Sequence, residues 1–346
     1  MKRRRGESRR DFLGRGWKGA AVVGAASRAT AAQAGARTGS DPLRYDVDRW
    51  RRVDPAWIHY ERVSGFRLEQ GPARRFAWGP DGRFHVATGR SVDVYSVEGR
   101  RLERLAMEEL VRCVRVEADG TRWVGLRDRV EVWSDRGLRV ARWAPVAGKP
   151  FLTGLAVTEQ DVWVADAGNR VVYRCDRDGR VTLRVGERKP EAGIPGLVVP
   201  SPCLVVEAGD EGGVWVNNPG RHRVEVYRRD GGLERAWGRP GVALASFCGC
   251  CNPVALARLP GGRCVTGEKG LARVKVYGPE GDLESVVAGP DTFAGGEGDG
   301  LGVGMRSDGD DGVDVAVDGQ GRVAVLDRVG GTLQIFQRRA AAGEAA

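Results

Sequence analysis

Seven cysteines are spread along this 346-residue chain, and three stand almost together in Phe247-Cys248-Gly249-Cys250-Cys251-Asn252-Pro253. Sulfur at that density suits three kinds of chemistry. Thiolates bind Cu(I), Zn(II) or an iron–sulfur cluster, because soft ligands favour those metals. Adjacent thiols, here Cys250 and Cys251, can close into a strained and easily reduced disulfide. In an oxidising compartment cysteines also pair as ordinary structural disulfides, and an odd count leaves one over. The spacing alone does not choose. It is neither the paired Cys-x-x-Cys of zinc modules nor the Cys-x-x-Cys-His of covalent haem.

What must position these sulfurs is a repeat. A unit of apolar strand, Gly-containing turn, apolar strand, polar loop with Arg, and a third strand ending Val-x-aromatic recurs six times. Its anchors are Tyr95, Trp133, Tyr173, Tyr227, Tyr277 and Phe336, spaced 38, 40, 54, 50 and 59 residues apart, so the unit is constant and its connections vary. Glu98-Gly99, Asp135-Arg136-Gly137, Asp178-Gly179, Asp230-Gly231 and Glu280-Gly281 follow the first five anchors. Such pairs make tight hairpin turns, since Gly accepts positive φ.

Alternating Val-x-Val runs with frequent turn residues, and no long helical period, predict an all-β architecture. Six copies of a strand-turn-strand unit fit a six-bladed β-propeller better than a solenoid. Val162-Trp-Val-Ala-Asp166-Ala-Gly-Asn169-Arg170-Val-Val-Tyr173 resembles an NHL repeat, and Val214-Trp-Val-Asn-Asn-Pro-Gly-Arg-His222-Arg223-Val-Glu-Val-Tyr227 is a second good copy. Blades one, two and six lack the Asp-x-x-Asn element. The last blade ends at Phe336 with a short tail, so residues 57–70 are expected to supply its outer strand and lock the ring.

In such a ring the blade-to-blade connections and the loops joining second to third strands share one face, the top. The repeat alignment places Arg90, Arg129, Asp166, Asn169, Arg170, Asn217, His222, Glu268, Lys269, Arg273, Asp327 and Arg328 there. Their mixed charge suits a protein partner or a small polar ligand, while exposed ion pairs of this kind are equally at home as plain blade-to-blade contacts. The cysteine triplet lies in the connection between blades four and five. Cys113 and Cys203 align with each other at the start of an inner strand, beside the channel mouth. Cys248, Cys250, Cys251, Cys113 and Cys203 are thus a candidate thiolate set for copper, zinc or an iron–sulfur cluster, whereas Cys175 and Cys264 fall at structural positions.

Familiar catalytic apparatus is missing. The chain has His59, His85 and His222 only, with no His-Glu-x-x-His and no Gly-x-Ser-x-Gly. Gly295–Gly304 does not match a dinucleotide fingerprint, and the run Asp308 to Asp314 lacks the glycine placement of an EF-hand. By analogy of fold, a metal-dependent hydrolase or lyase, of lactonase or amidating-lyase type, would draw on His222, Glu268, Asp166 and Asp327 in the channel.

Compartment is read from the N-terminus. Lys2 to Arg5, then Ser8-Arg9-Arg10-Asp11-Phe12-Leu13, an apolar run from Trp17 to Ala26 and Ala32-x-Ala34 resemble a twin-arginine export signal. The resemblance implies an exported, periplasmic protein, and a route used by folded and often cofactor-bearing chains. Residues 1–34 hold nine Lys and Arg against Glu7 and Asp11, so the net +9 of the whole chain falls to about +2 without them. That leaves no electrostatic footprint for nucleic acid, and no later stretch approaches the length of a membrane-spanning helix. The expected organisation is signal 1–34, linker 35–56, propeller 57–340 and tail 341–346. The expected role is a binding or scaffold module, with a Cys-ligated metal or redox site on its top face.

Overall fold

A computed structural model of the chain describes residues 48–69, 71–293 and 312–340. The expected export signal 1–34, residues 35–47, the loop Gly295–Gly304, the acidic residues up to Asp311 and the tail 341–346 lie outside the described residues. A short helix, Asp48–Arg51, and a 3-10 turn, Pro55–Trp57, capped by Asp54 accepting from the Ala56 amide, lead into the first strand.

The described residues form six four-stranded antiparallel sheets. Their first strands are Ala73–Trp78, Cys113–Val116, Leu152–Val157, Val206–Ala208, Ala255–Leu259 and Val313–Val317, and each touches the next around a closed circle. This is a six-bladed β-propeller. Second strands such as Phe84–Thr88, Val162–Asp166 and Val323–Asp327 are buried along their whole length, which is why they read as near-continuous apolar runs. Outer strands such as Arg101–Ala106 and Arg139–Arg142 are largely solvated.

All six aromatic anchors sit in third strands. The glycine after an anchor serves two ends. Gly179 has φ +90°, and a Cβ placed there would lie 2.5 Å from the ring of Trp143 at the edge of blade two. Gly281, at φ +85°, meets Trp237 of blade four in the same way. These two hairpin turns, like the one at Gly99, which meets Phe66, receive an aromatic side chain from the preceding blade, whereas Gly137 and Gly231 meet Leu105 and Leu183; at the aromatic seats only a residue with no side chain and tolerance of positive φ fits.

The sixth sheet is built from both ends of the chain. Val313–Val317, Val323–Asp327 and Thr332–Arg338 are completed by Tyr60–Arg67, paired antiparallel to Thr332–Arg338 from Tyr60 opposite Arg338 to Arg67 opposite Thr332. The expected closure by residues 57–70 thus forms, and no open sheet edge is left at the seam.

Two residues before the anchor, five blades place a polar group in a strand that otherwise alternates Val: Asp93, Glu131, Glu225, Lys275 and Gln334, all buried. A buried charge must be paired. Asp93 takes Arg104 at 2.6 Å and Glu225 takes Arg223 at 2.7 Å, while Glu131 faces Arg129, Arg139 and Arg142. In blade five the sign is reversed, and that blade carries the cysteine loop.

Candidate functional site

The chain leaves the outer strand of blade four, Leu233–Trp237, and crosses to blade five through residues 238–254. This connection has no regular structure of its own, so its backbone carbonyls need side-chain donors. Blade five supplies them. Lys275 is fully buried and its Nζ donates to Leu244 O at 3.1 Å and Ser246 O at 2.8 Å. Arg273 donates to Val242 O and Ser246 O, and the Tyr277 hydroxyl to Ala245 O. Glu268 balances both cations, meeting Lys275 Nζ at 2.8 Å and Arg273 Nε and Nη2 at 3.0 Å each. Burial pushes the Lys275 ammonium down to about 8, with the Glu268 carboxylate acting against that fall. Phe247 seals the cluster, its ring 5.6 Å from that of Tyr277 and 4.4 Å from Lys275 Nζ.

The cysteines project from this anchored base. The Cys248 amide donates to Glu268 Oε2 at 2.9 Å. Gly249 turns the chain at φ +85°, and its carbonyl accepts from His222 Nε2 at 2.6 Å, which requires the proton on that nitrogen. Asn252 closes the loop by accepting from the Lys269 amide and donating to the carbonyls of Lys269 and Cys248. Between these fixed points Cys250 is exposed, Cys251 is buried, and their sulfurs are 3.1 Å apart. Burial pushes the Cys251 thiol up from its ordinary value, against a hydrogen bond from Ser201 and the nearby Lys269 ammonium. Lys269 Nζ lies 3.5 Å from Ser201 Oγ.

A convergence of five thiols is not formed: among the described residues no group of three or more His, Cys, Asp or Glu is arranged to hold a metal ion. The reason is the contents of the channel. Arg75 is buried there, bonded to Asp314 at 2.6 Å and to Val254 O at 3.2 Å, and it interacts electrostatically with both Cys203 and Cys113. Arg115 and Glu207 form a second ion pair in the same interior. Cys113 packs where Gly125 has no side chain, and burial raises its thiol to about 12. Cys203 is wholly buried. Cys175 is buried with its thiol raised to about 12, and Cys264 is buried and raised further.

The other sequence-selected residues divide into structural and exposed. Asp166 is buried and accepts from the amides of Phe151, Gly168 and Asn169, while Asn169 ties the preceding connection through Ala147 O and the Lys149 amide. The Asp-x-x-Asn element is thus a clasp on the blade connection. Asn217 accepts from the Val205 amide and donates to Cys203 O and Pro253 O, joining blades four and five. Asp327 caps its loop through the Val329 and Gly330 amides. Arg129 pairs with Glu109 and Asp128, and Arg328 faces Asp314 at 3.6 Å. Arg170 and His222 each stand just before a third strand with left-handed backbones, φ 56° and 57°; the match is of loops and not of anchors, because Val162 pairs with Cys175 where Val214 pairs with Tyr227, so Tyr173 stands two residues ahead of the position that Tyr227 fills. Arg90 and Arg170 are exposed. Sequence reasoning missed Ser201, Asn252 and Lys275. For Lys275 a signal existed, a cation inside the alternating Val274-Lys-Val-Tyr277.

The fold and this loop define a β-propeller with a dithiol on one blade connection. Among solved structures the chain is similar to a streptogramin B lyase, with 11% identity and a TM-score of 0.54 over 83% of this chain and 100% of that one. It is likewise similar to selenomethionine-substituted virginiamycin B lyase from Staphylococcus aureus, with 10% identity and a TM-score of 0.53 over 80% and 99% of the two chains. At this identity the likeness concerns the fold. No family profile and no curated protein matches the sequence.

Proposed function

We propose that the protein is an exported NHL-type propeller that binds a partner on its top face and carries there a redox-active dithiol, Cys250–Cys251. The carrying observation is the 3.1 Å separation of the two sulfurs on a loop pinned by Glu268, Asn252 and His222. That distance is about 1 Å longer than a disulfide bond. Closing the link brings the sulfurs about 1 Å nearer and strains a peptide whose Cα atoms stand about 3.8 Å apart, below the ordinary disulfide range, and such strain makes the link easy to reduce. Exposed Arg90, Arg170 and Cys250 leave the same face open to a protein or a small polar ligand.

The residues of the first 34 positions support export, and an oxidising compartment is where a reversible dithiol has work to do. Equilibrating the purified mature chain in glutathione buffers of graded potential, followed by peptide mass mapping, tests the reading. A Cys250–Cys251 link that forms and reopens within the glutathione range is the expected result. Two free thiols at every potential would refute it. Replacing Arg9 and Arg10 by lysines in a fusion of residues 1–34 to a reporter tests the address, with loss of export expected.

A second reading, a lyase, is favoured by the names of the two structural neighbours alone. His222, Glu268, Asp166 and Asp327 stand at or just beyond the ends of the second strands of four different blades, each held by its own protein partners. Incubation with a streptogramin B antibiotic and a divalent cation decides it, since an unchanged antibiotic removes the only support.

A further inference from the structure

Cys250 and Cys251 are alike in chemistry and opposite in placement. Cys250 opens to solvent, whereas Cys251 is 2% exposed and backed by Ser201 and Lys269. Exchange between a thiolate and a disulfide depends on access to the sulfur under attack as well as on thiolate character. A disulfide carried by another molecule can reach Cys250 and is kept from Cys251 by the protein around it. We infer that, granted the redox role proposed above, Cys250 is the sulfur that exchanges with a disulfide of another molecule, and Cys251 is the sulfur that resolves the mixed disulfide.

The chemistry balances in two steps. Cys250 Sγ, as thiolate, attacks one sulfur of the incoming disulfide; that S–S bond breaks, its far sulfur leaves as a thiolate and takes a proton, and Cys250 is held in a mixed disulfide. Cys251 then gives up its proton and attacks Cys250 Sγ. The mixed bond breaks, the second thiol leaves protonated, and the Cys250–Cys251 bond is formed. Two electrons pass from the dithiol to the incoming disulfide, and two thiols are released.

The surroundings fit this division of labour. Ser201 and Lys269 stand beside the resolving sulfur, so its thiolate is met by a hydroxyl donor and a cation when it forms. The Gly249 turn is held by His222 and the Cys248 amide by Glu268, so the exposed sulfur keeps its position through both steps.

The test uses the mature full-length chain and two probes, oxidised glutathione and insulin as a protein disulfide. Cys251→Ser is expected to accumulate close to one mixed disulfide per chain, on Cys250, and Cys250→Ser essentially none. Which probe reacts tells a small disulfide from a polypeptide one. Because either variant can fail to fold, brief alkylation of the reduced wild-type protein with iodoacetamide gives a second reading, with Cys250 labelled well before Cys251. If the wild-type link forms but adducts collect in Cys250→Ser, or Cys251 is labelled first, the order is overturned while the redox role stands. If no link forms in the wild type, both fall.

Discussion

The backbone amide of Cys248 donates to Glu268 Oε2, so the cysteine loop and the buried cations of blade five share one carboxylate. The geometry of the sulfurs is therefore set by a charge cluster in the neighbouring strands. Glu268→Gln keeps the shape and removes the charge, leaving Arg273 and Lys275 buried without their counter-ion. Breaking a buried pair in this way costs about 3–5 kcal/mol. Urea denaturation should show a loss of that size, and alkylation of Cys251 in the variant should speed up as the loop loosens.

Acid should weaken the fold through His85. Its ring is buried among blade-one residues with neither nitrogen hydrogen-bonded, and burial, with Arg122 nearby, lowers it from 6.5 to about 4. The unfolded chain binds the proton first, so stability is full above about pH 6.5 and is lost as pH falls toward 4, by on the order of 3 kcal/mol. Denaturation midpoints measured across that window should fall in the wild type. His85→Leu should flatten that part of the profile, and an unchanged slope would show that another group governs it.

Asn217 serves three backbone groups from two blades. Truncation to Ala strands the Val205 amide and the carbonyls of Cys203 and Pro253 in the interior, at about 1–3 kcal/mol for each unsatisfied group that water cannot reach. A drop in thermal midpoint with a native circular dichroism spectrum is the expected outcome, and hydrogen exchange at Val205 should rise. No change in exchange there would mean that water has replaced the side chain.

Gly179→Ala tests the aromatic seat between blades two and three. The substitution puts a Cβ into the Trp143 ring and an L side chain at φ +90°. Strain in the left-handed region alone is about 1–2 kcal/mol, and displacement of the ring adds to it. Gly319→Ala, in a turn with open space around the glycine, is the control expected to change little. Equal effects at the two positions would contradict the seat.

The ring itself was legible in the chain because its signals are local and repeated. Tyr173 after Val-x, then Asp178-Gly179, announces a third strand and its turn with no knowledge of the neighbours, and six copies imply closure. The cysteine loop was legible as a cluster of sulfur on one connection. Its organisation was not. Glu268 and Lys269 look equally exposed in a line of text, yet one is buried against two cations and the other stands beside Ser201. Asp166 and Asn169 read as ligand-facing because they are polar and lie on a loop, and they turn out to satisfy backbone groups. Pairing partners come from residues distant in sequence, such as Arg75 and Asp314, and a single sequence carries no record of them. The Asp314 side chain fills the channel through a contact that spans 239 residues.

The shared sixth blade also sets an order of events during synthesis. Among the described strands Tyr60–Arg67 emerges from the ribosome first and its partner Thr332–Arg338 last; Arg62 and Gln334, which touch across the seam, are 272 residues apart. Until Thr332–Arg338 has been made, the first strand lacks the only partner its sheet gives it, and the strands of the other five blades all lie between the two in sequence. A chain that stops short of residue 332 leaves Tyr60–Arg67 and Val323–Asp327 without the strand that joins them, so one late segment decides whether the ring is sealed.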